Sequence, residues 1–458
     1  MKRTHKRAHR DAEALLSDAA LRRIADDVLR ASDADETEVH IDVVSDALTR
    51  FANNHIHQNV AERTLSVSVR TVYEGRTARA TTNRADADSL REVLAASVSL
   101  ARSQPKNPRL LPMPGPQKYA RVQRFSGRTA EVAPAERARV VRDVCRLAAR
   151  RGLTAAGIFS TGAVQFAMAN SRGLFASYRQ TRAEFSVTML GGDSSGWAKA
   201  SAPDVSAFDP LALSARAAEK AERSRQPREL PPGRYTVILE PAAVLDLVGF
   251  LYYDFAATAI RDQRSCFNGR MGKQVLGRNI TIWDDVAHPL QSGAPFDGEG
   301  VPRQKVLLVD RGVPRNLVYS RAAAKEMGKR PTGHGFALPN EYGEAPVNLV
   351  FAGGQSSLEE MIASTDRGLL VTRLWYIREV DPYEKVVTGM TRDGTFLIEN
   401  GRIAAGIRNF RFNQSLLEML SNVEMLGPAV RAAGEESFDM VVPAMKVRGF
   451  HFTEATKF

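Results

Sequence analysis

Cysteine is almost absent. Cys145 and Cys266 are the two among 458 residues, which excludes a disulfide framework and any cysteine-rich zinc module. Both read as free thiols of a reducing cytoplasm. Cys145 sits beside Val144 and Leu147 as packing, and Cys266, near Arg264 and Arg270, lacks the His or Asn partner of an activated nucleophile. Aromatic residues make up only 7%. They do not interleave with Lys and Arg, which argues against a stacking platform for single-stranded nucleic acid. No apolar run resembles a signal peptide or suits a membrane span. The Walker A loop, a GxGxxG after a strand, a GxSxG elbow and tandem repeats are all missing.

What remains is an ordinary globular composition, 43% hydrophobic and 25% charged. The net charge is +11, but Lys2, Arg3, Lys6, Arg7 and Arg10 supply five of those charges with no acid among them. Such a run is a solvated, disordered basic tail (1–10) rather than a nucleic-acid surface. Two units follow, an N-terminal α+β domain over 11–226 and a strand-rich C-terminal domain over 233–458, divided at Pro227, Pro231, Pro232 and Gly233.

The order of elements favours α+β with antiparallel sheets over a doubly wound fold, since strands come in adjacent runs. An amphipathic helix spans 11–31, with Asp11 as N-cap. Glu38–Val44 and Leu65–Val72 are extended, and Glu74-Gly75 turns a hairpin into Arg76–Thr82. A second helix begins at Ser89, where Glu92 completes capping-box spacing. The proline-rich stretch 105–116 is a linker or strap. Pro134–Arg151 is helical, Asn170–Gly173 is a turn, GGDSSGW (191–197) is a loop, and Asp209 caps a further helix. Short helices are predicted at 321–327, 357–364 and 415–425. Asn400-Gly401 between apolar runs predicts a type I′ hairpin.

The chain is organised around 234–264. Tyr235–Leu239 reads as a buried strand, Pro241 opens a helix, and about five turns of apolar sequence predict one continuous core helix. Asp246 and Asp254 argue against its crossing a membrane. A helix entered from a strand is a good scaffold for metal ligands, yet 241–264 contains no histidine.

Elsewhere, candidate chemistry lies in loops. Asp284, Asp285 and His288 could ligate a metal, although capping a turn explains them as well. Asp297 and Glu299 sit among glycines without the remaining oxygens of a calcium loop. His334, in the loop Thr332–Gly335, is a possible base or substrate contact. Thr391, Arg392 and Asp393, read as a loop entering a hairpin, could hold a peptide or carboxylate.

Several stretches together resemble the TldD/PmbA family: LTRFANNHIHQN (48–59), PPGRYTVILEPAAV (231–244), SCFNGRMGKQV (265–275), ITIWDD (280–285), PFDGEGVP (295–302), TGH (332–334) and TGMTRDGTFLIENGRI (388–403). The resemblance implies a two-domain α+β fold and a link to zinc metalloproteases built from two related subunits. In the catalytic branch a His-Glu-x-x-x-His motif follows the central strand and a late cysteine completes the zinc site. Laid on this chain, the motif falls on Leu245, Asp246 and Phe250, and no cysteine follows Cys266. The resemblance therefore implies the non-zinc, TldE/PmbA-like branch: no cofactor in this chain, zinc in a TldD-like partner with which it forms a heterodimer, and unfolded or ribosomally made peptides as substrates; whether the chain alone forms a homodimer is left open by the sequence. His334, Thr391, Arg392 and Asp393 are the expected substrate contacts. The alternatives are a gyrase- or nucleic-acid-associated binding protein and a metal-independent hydrolase using Asp284, Asp285, His288 or His334.

Overall fold

The computed structural model describes residues 15–456; the basic tail and the expected cap Asp11 lie outside them. The first helix runs over Asp18–Ala31 with Ser17 as its cap. The next covers Ala87–Ser103 and is capped by Asp86, not Ser89. Ser89 instead donates its hydroxyl to Asp86, because a carboxylate one turn earlier is the better acceptor for orphaned N–H groups.

Strands β1 (Glu36–Ala52), β2 (His55–Tyr73), β3 (Arg76–Thr82), β4 (Thr154–Asn170), β5 (Phe175–Leu190) and β6 (Ser195–Ala202) form one antiparallel sheet in the order β3-β2-β1-β4-β5-β6. They are much longer than the periodic runs in the sequence suggest. Alternation is legible only where one face is buried, whereas β2 is exposed over its first ten residues. The turns at Glu74-Gly75 and Asn170–Gly173 fall where predicted. Helices cover one face of the sheet. Val39, Ile41 and Val43 of β1 pack with Leu21, Val28, Leu90 and Val93, while Phe51 joins Val141, Val144, Leu213 and Ala217.

The opposite face meets the C-terminal half. Glu38, 1% exposed, accepts both arms of the Arg70 fork at 3.1 Å and Arg79 at 2.6 Å, and Arg79 donates across to the carbonyl of Leu338. Phe296 packs against Met168, Leu174 and Ala176.

The C-terminal half contains two further sheets. In one, Gly233–Leu239 (β7) runs parallel to Arg367–Asp381 and antiparallel to Met445–Ala455. The ring continues through Phe410–Ser415 and Val386–Glu399 and returns to Arg367–Asp381. Five strands thus close a small barrel filled by Val237, Leu239, Leu369, Val371, Phe412 and Phe450. Beside it lies a six-stranded sheet that includes Ile282–Asp284, Val306–Asp310 and Leu349–Phe351. The fold is α+β, as the order of elements implies. Arg402–Gly406 closes the predicted hairpin, with Asn400 at φ 50° and Gly401 at 73°.

Candidate functional site

The apolar stretch after β7 is not one helix. An α-helix covers Pro241–Val248, a 3₁₀ segment Gly249–Phe255, and a second short helix Ala257–Arg261. The break has two causes. Ala256 is extended and its neighbour Ala257 bonds to the carbonyl of Val318. In addition, the loop 434–437 presses on the helix: a Cβ on Gly249 would stand 2.1 Å from Oγ of Ser437, and one on Gly434 would stand 2.1 Å from Oδ1 of Asp246. A side chain at either position would have to displace the Ser437 or Asp246 side chain that faces it.

Leu245 is fully buried in the barrel core and Phe250 packs at its margin. Asp246 is buried between them. Its Oδ1 accepts the N–H of Glu436 at 3.1 Å, and Oδ2 has no partner among the described residues. Burial, aided by the Glu436 and Glu435 carboxylates, pushes its pKa up to about 7. A raised folded pKa stabilises at low pH and is progressively lost as pH climbs from the ordinary carboxylate range to about 7. Asp246→Asn should therefore melt increasingly above wild type between pH 4 and pH 7, with a gap that levels off at about 4 kcal/mol. Parallel melting curves across that range would show that the carboxylate ionises freely.

In front of Phe250 opens a cleft of about 760 Å³, walled by Tyr252, Tyr253, Phe336 and Phe438 and by the acids Glu435 and Glu436. Val347 and Phe438 are shared with a second cavity of about 680 Å³, which lies between the N-terminal sheet (Asp46, Ser160, Arg182) and the C-terminal half (Asn348, Arg431). In the same cleft lining, Lys385 lies 2.6 Å from Asp254 and 2.7 Å from Glu379. Cys266 donates its N–H to Asp254. Burial pushes the Cys266 thiol pKa up, and Asp254 adds to the effect, in keeping with an inert thiol.

The loop candidates behave differently from one another. His334 is buried, its Nε2 2.9 Å from Asp284 and its Nδ1 2.9 Å from the hydroxyl of Thr332. This Thr–His–Asp line resembles a hydrolytic triad, but the His334 and Asp284 side chains are 0% exposed. Asp285 instead pairs with Lys305, and His288 accepts the N–H of Leu290. Asp297 gathers the N–H groups of Glu299, Val301 and Gly335, as a turn organiser does.

Thr391, Arg392 and Asp393 do not form a loop. They lie within strand Val386–Glu399, where Asp393 takes φ 52° and its carboxylate is buried against Arg373 and Ser195. The strand was hidden because Gly389, Asp393 and Gly394 read as turn residues, whereas here they make an irregularity in the pairing with Arg367–Asp381. Thr391 is buried too, accepting the N–H of Phe410. Arg392 is 45% exposed and lies over Trp375. The structure does not bring His334 together with these three. Arg303 and Asn348, in the second cavity, carry no sequence signal. Neither sits in a recognisable motif, and only the meeting of the two halves puts them in one wall.

Sequence profiles of three consecutive domains match this chain: PmbA/TldA metallopeptidase domain 1 at 42–101, the central domain at 118–225 and the C-terminal domain at 232–454. The chain belongs to the PmbA/TldD family. A metalloprotease from Methanothermobacter thermautotrophicus is 25% identical over 331 residues, 67% of this chain and 70% of that protein. Metalloprotease PmbA of Escherichia coli O157:H7 is 25% identical over 228 residues, spanning 49% of this chain and 48% of PmbA. The crystal structure of TldE from Thermococcus kodakarensis superposes with a TM-score of 0.84 at 20% identity, over 95% of this chain and 99% of that one; at that identity the likeness is one of fold.

PmbA/TldD proteins carry a metallopeptidase name, so the helix after β7 can be tested for a zinc site. It does not fit. Leu245 and Phe250 offer no donor atom, and Asp246, held through Oδ1 by the backbone of Glu436, would be a lone ligand through its Oδ2 where a zinc site needs three or four. Among the described residues no group of three or more His, Cys, Asp or Glu side chains is placed to hold a metal ion. No helix among them is long and apolar enough to cross a membrane.

Proposed function

We propose that this chain is the non-catalytic, TldE/PmbA-like subunit of a cytoplasmic two-chain TldD/TldE-type zinc peptidase. It would contribute to peptide hydrolysis by completing the chamber of a TldD-type partner that carries the zinc. The observation behind this reading is the filled helix: Leu245 belongs to the barrel core and Asp246 holds the loop 434–437. A side chain built into the core in this way is structural, and the cleft in front of Phe250 supplies a wall rather than a catalyst. Unfolded or ribosomally made peptides are the substrates this reading implies. Of the four side chains expected at the substrate, Arg392 best retains access to one.

The test is to purify this chain and the TldD-type protein of the same organism separately, then assay peptide cleavage by each and by the mixture. Activity should appear only in the mixture and vanish when the partner's zinc ligands are replaced. Cleavage by this chain alone would overturn the proposal.

A further inference from the structure

The cavity between the two halves is lined by three arginines, Arg182, Arg303 and Arg431, and by three carboxylates, Asp46, Glu184 and Asp439. Two of the arginines are taken. Arg182 forks onto Asp46, and Arg431 holds Asp439 and Ser201. Arg303 differs. Its Nη1 is sealed from solvent and has no hydrogen-bond partner among the described residues. The nearest candidates to neutralise it are engaged elsewhere. Asp284 is held by His334 and by the N–H of Asn348, and Asp297 by its three backbone N–H groups. Both act on Arg303 only through their field, against the burial that pulls its pKa down.

A second unpaired group stands in the same wall. Asn348 is 3% exposed. Its amide nitrogen donates to the carbonyl of Ser292, which fixes the orientation of the group and leaves Oδ1 without a partner. Both residues flank the segment 292–295, since Arg303 bonds through its backbone to the carbonyl of Pro295 and the side chain of Asn348 packs over Gly293. One wall therefore offers an unsatisfied guanidinium nitrogen, Nη1 of Arg303, and an unsatisfied carbonyl oxygen, Oδ1 of Asn348. Buried groups of either kind are normally paired, and an arginine fork matches a carboxylate in two parallel hydrogen bonds. The acceptor narrows the choice of ligand. A fully ionised phosphate has no donor to place on Asn348 and would need to keep a proton to reach it, whereas the last residue of a peptide always carries its backbone N–H beside its carboxylate.

The geometry points to a site for the free C-terminus of a peptide, with Arg303 taking the terminal carboxylate and Asn348 accepting the N–H of the terminal residue. This inference rests on the peptide reading above and gives that reading a substrate class, peptides with an unblocked end. The rest of the lining carries two arginines against three carboxylates, so a terminal carboxylate is drawn to Arg303 and not to the cavity at large. Entry requires only that the wall open enough for the sealed atoms to be reached, and each then gains a partner it now lacks.

The experiment uses the full chain and two pools of mixed-sequence peptides, identical except that one ends in a carboxylate and the other in a carboxamide. Acidic side chains are common to both pools, so the comparison isolates the terminus. Retention by ultrafiltration, read by mass spectrometry, should favour the acid pool about tenfold, the effect of losing one charge-assisted pair. Arg303→Met should erase that preference while lowering the unfolding midpoint only slightly, because the Nη1 it removes is unpaired and what is lost is the field that helps hold Asp284 charged. A merely structural arginine would behave in the opposite way, with lower stability and unchanged retention. Arg303→Lys, which keeps the charge and loses the fork, should keep a reduced preference. Equal retention of the two pools by the wild-type protein would overturn C-terminal recognition and leave the peptide reading standing. Retention of neither pool would overturn both.

Discussion

Glu38→Gln should destabilise the protein by about 3–5 kcal/mol near neutral pH, the range for breaking a buried ion pair from one side. Glu38 neutralises two guanidinium groups at once, and His40 lies 3.1 Å from it as well. An amide would leave Arg70 and Arg79 charged in a dry interface. The effect should also report on the joint between the halves, because Arg79 reaches the carbonyl of Leu338 from the same cluster. The pH dependence has a definite sign. Burial alone would raise the Glu38 pKa, but Arg70, His40 and Arg79 together hold it well below the ordinary carboxylate value. A depressed folded pKa gives stability that is present above the ordinary range and lost as pH falls through the folded value. Denaturant midpoints of wild type and Glu38→Gln should thus be far apart at pH 7 and converge in acid. A difference below about 1 kcal/mol, or one indifferent to pH, would mean that water reaches the cluster.

The second large effect is expected at Asp284. Asp284→Ala should lower stability by about 3–5 kcal/mol, since it strips His334 of one partner and the N–H of Asn348 of its acceptor. The turnover rate of the mixture with a TldD-type partner at saturating peptide, per folded molecule, should be unchanged, any loss falling on peptide binding through the released Asn348. The carboxylate follows the same sign as Glu38: burial would raise its pKa, His334 and Arg303 hold it low, and its contribution fades in acid. The opposite pattern, a stable variant whose activity is gone, would make the Thr332–His334–Asp284 line a catalyst and revive the metal-independent hydrolase.

Local signals carried the sequence reading a long way. The cap at Asp209, the short helix predicted at 357–364 and found over Leu358–Ala363, the turn at Asn400-Gly401 and the strand before Pro241 are decided within a few residues. What was not legible depends on contacts between distant segments. The helix after Pro241 looks continuous until residues 434–437 press on it and Ala257 bonds to Val318. Thr391–Asp393 reads as a turn because its glycines and aspartate match turn chemistry, and only pairing with Arg367–Asp381 makes it strand. His334 lies among glycines and reads as open, yet it is enclosed by a carboxylate fifty positions away. The emptiness of the motif at Leu245–Phe250, by contrast, is pure composition, visible without any coordinates.

The closed barrel also bears on how the chain is made. Strand Gly233–Leu239 has Arg367–Asp381 on one side and Met445–Ala455 on the other, so its second neighbour emerges from the ribosome about two hundred residues after it. The N-terminal sheet has all its strands by residue 202 and can consolidate during synthesis. The central strand and the greasy segment behind it must wait, exposed, through most of translation of the second half. Long-range closure of this kind is slow and prone to aggregation, so the newly made chain should depend on holding chaperones at this stage, whatever the finished protein does.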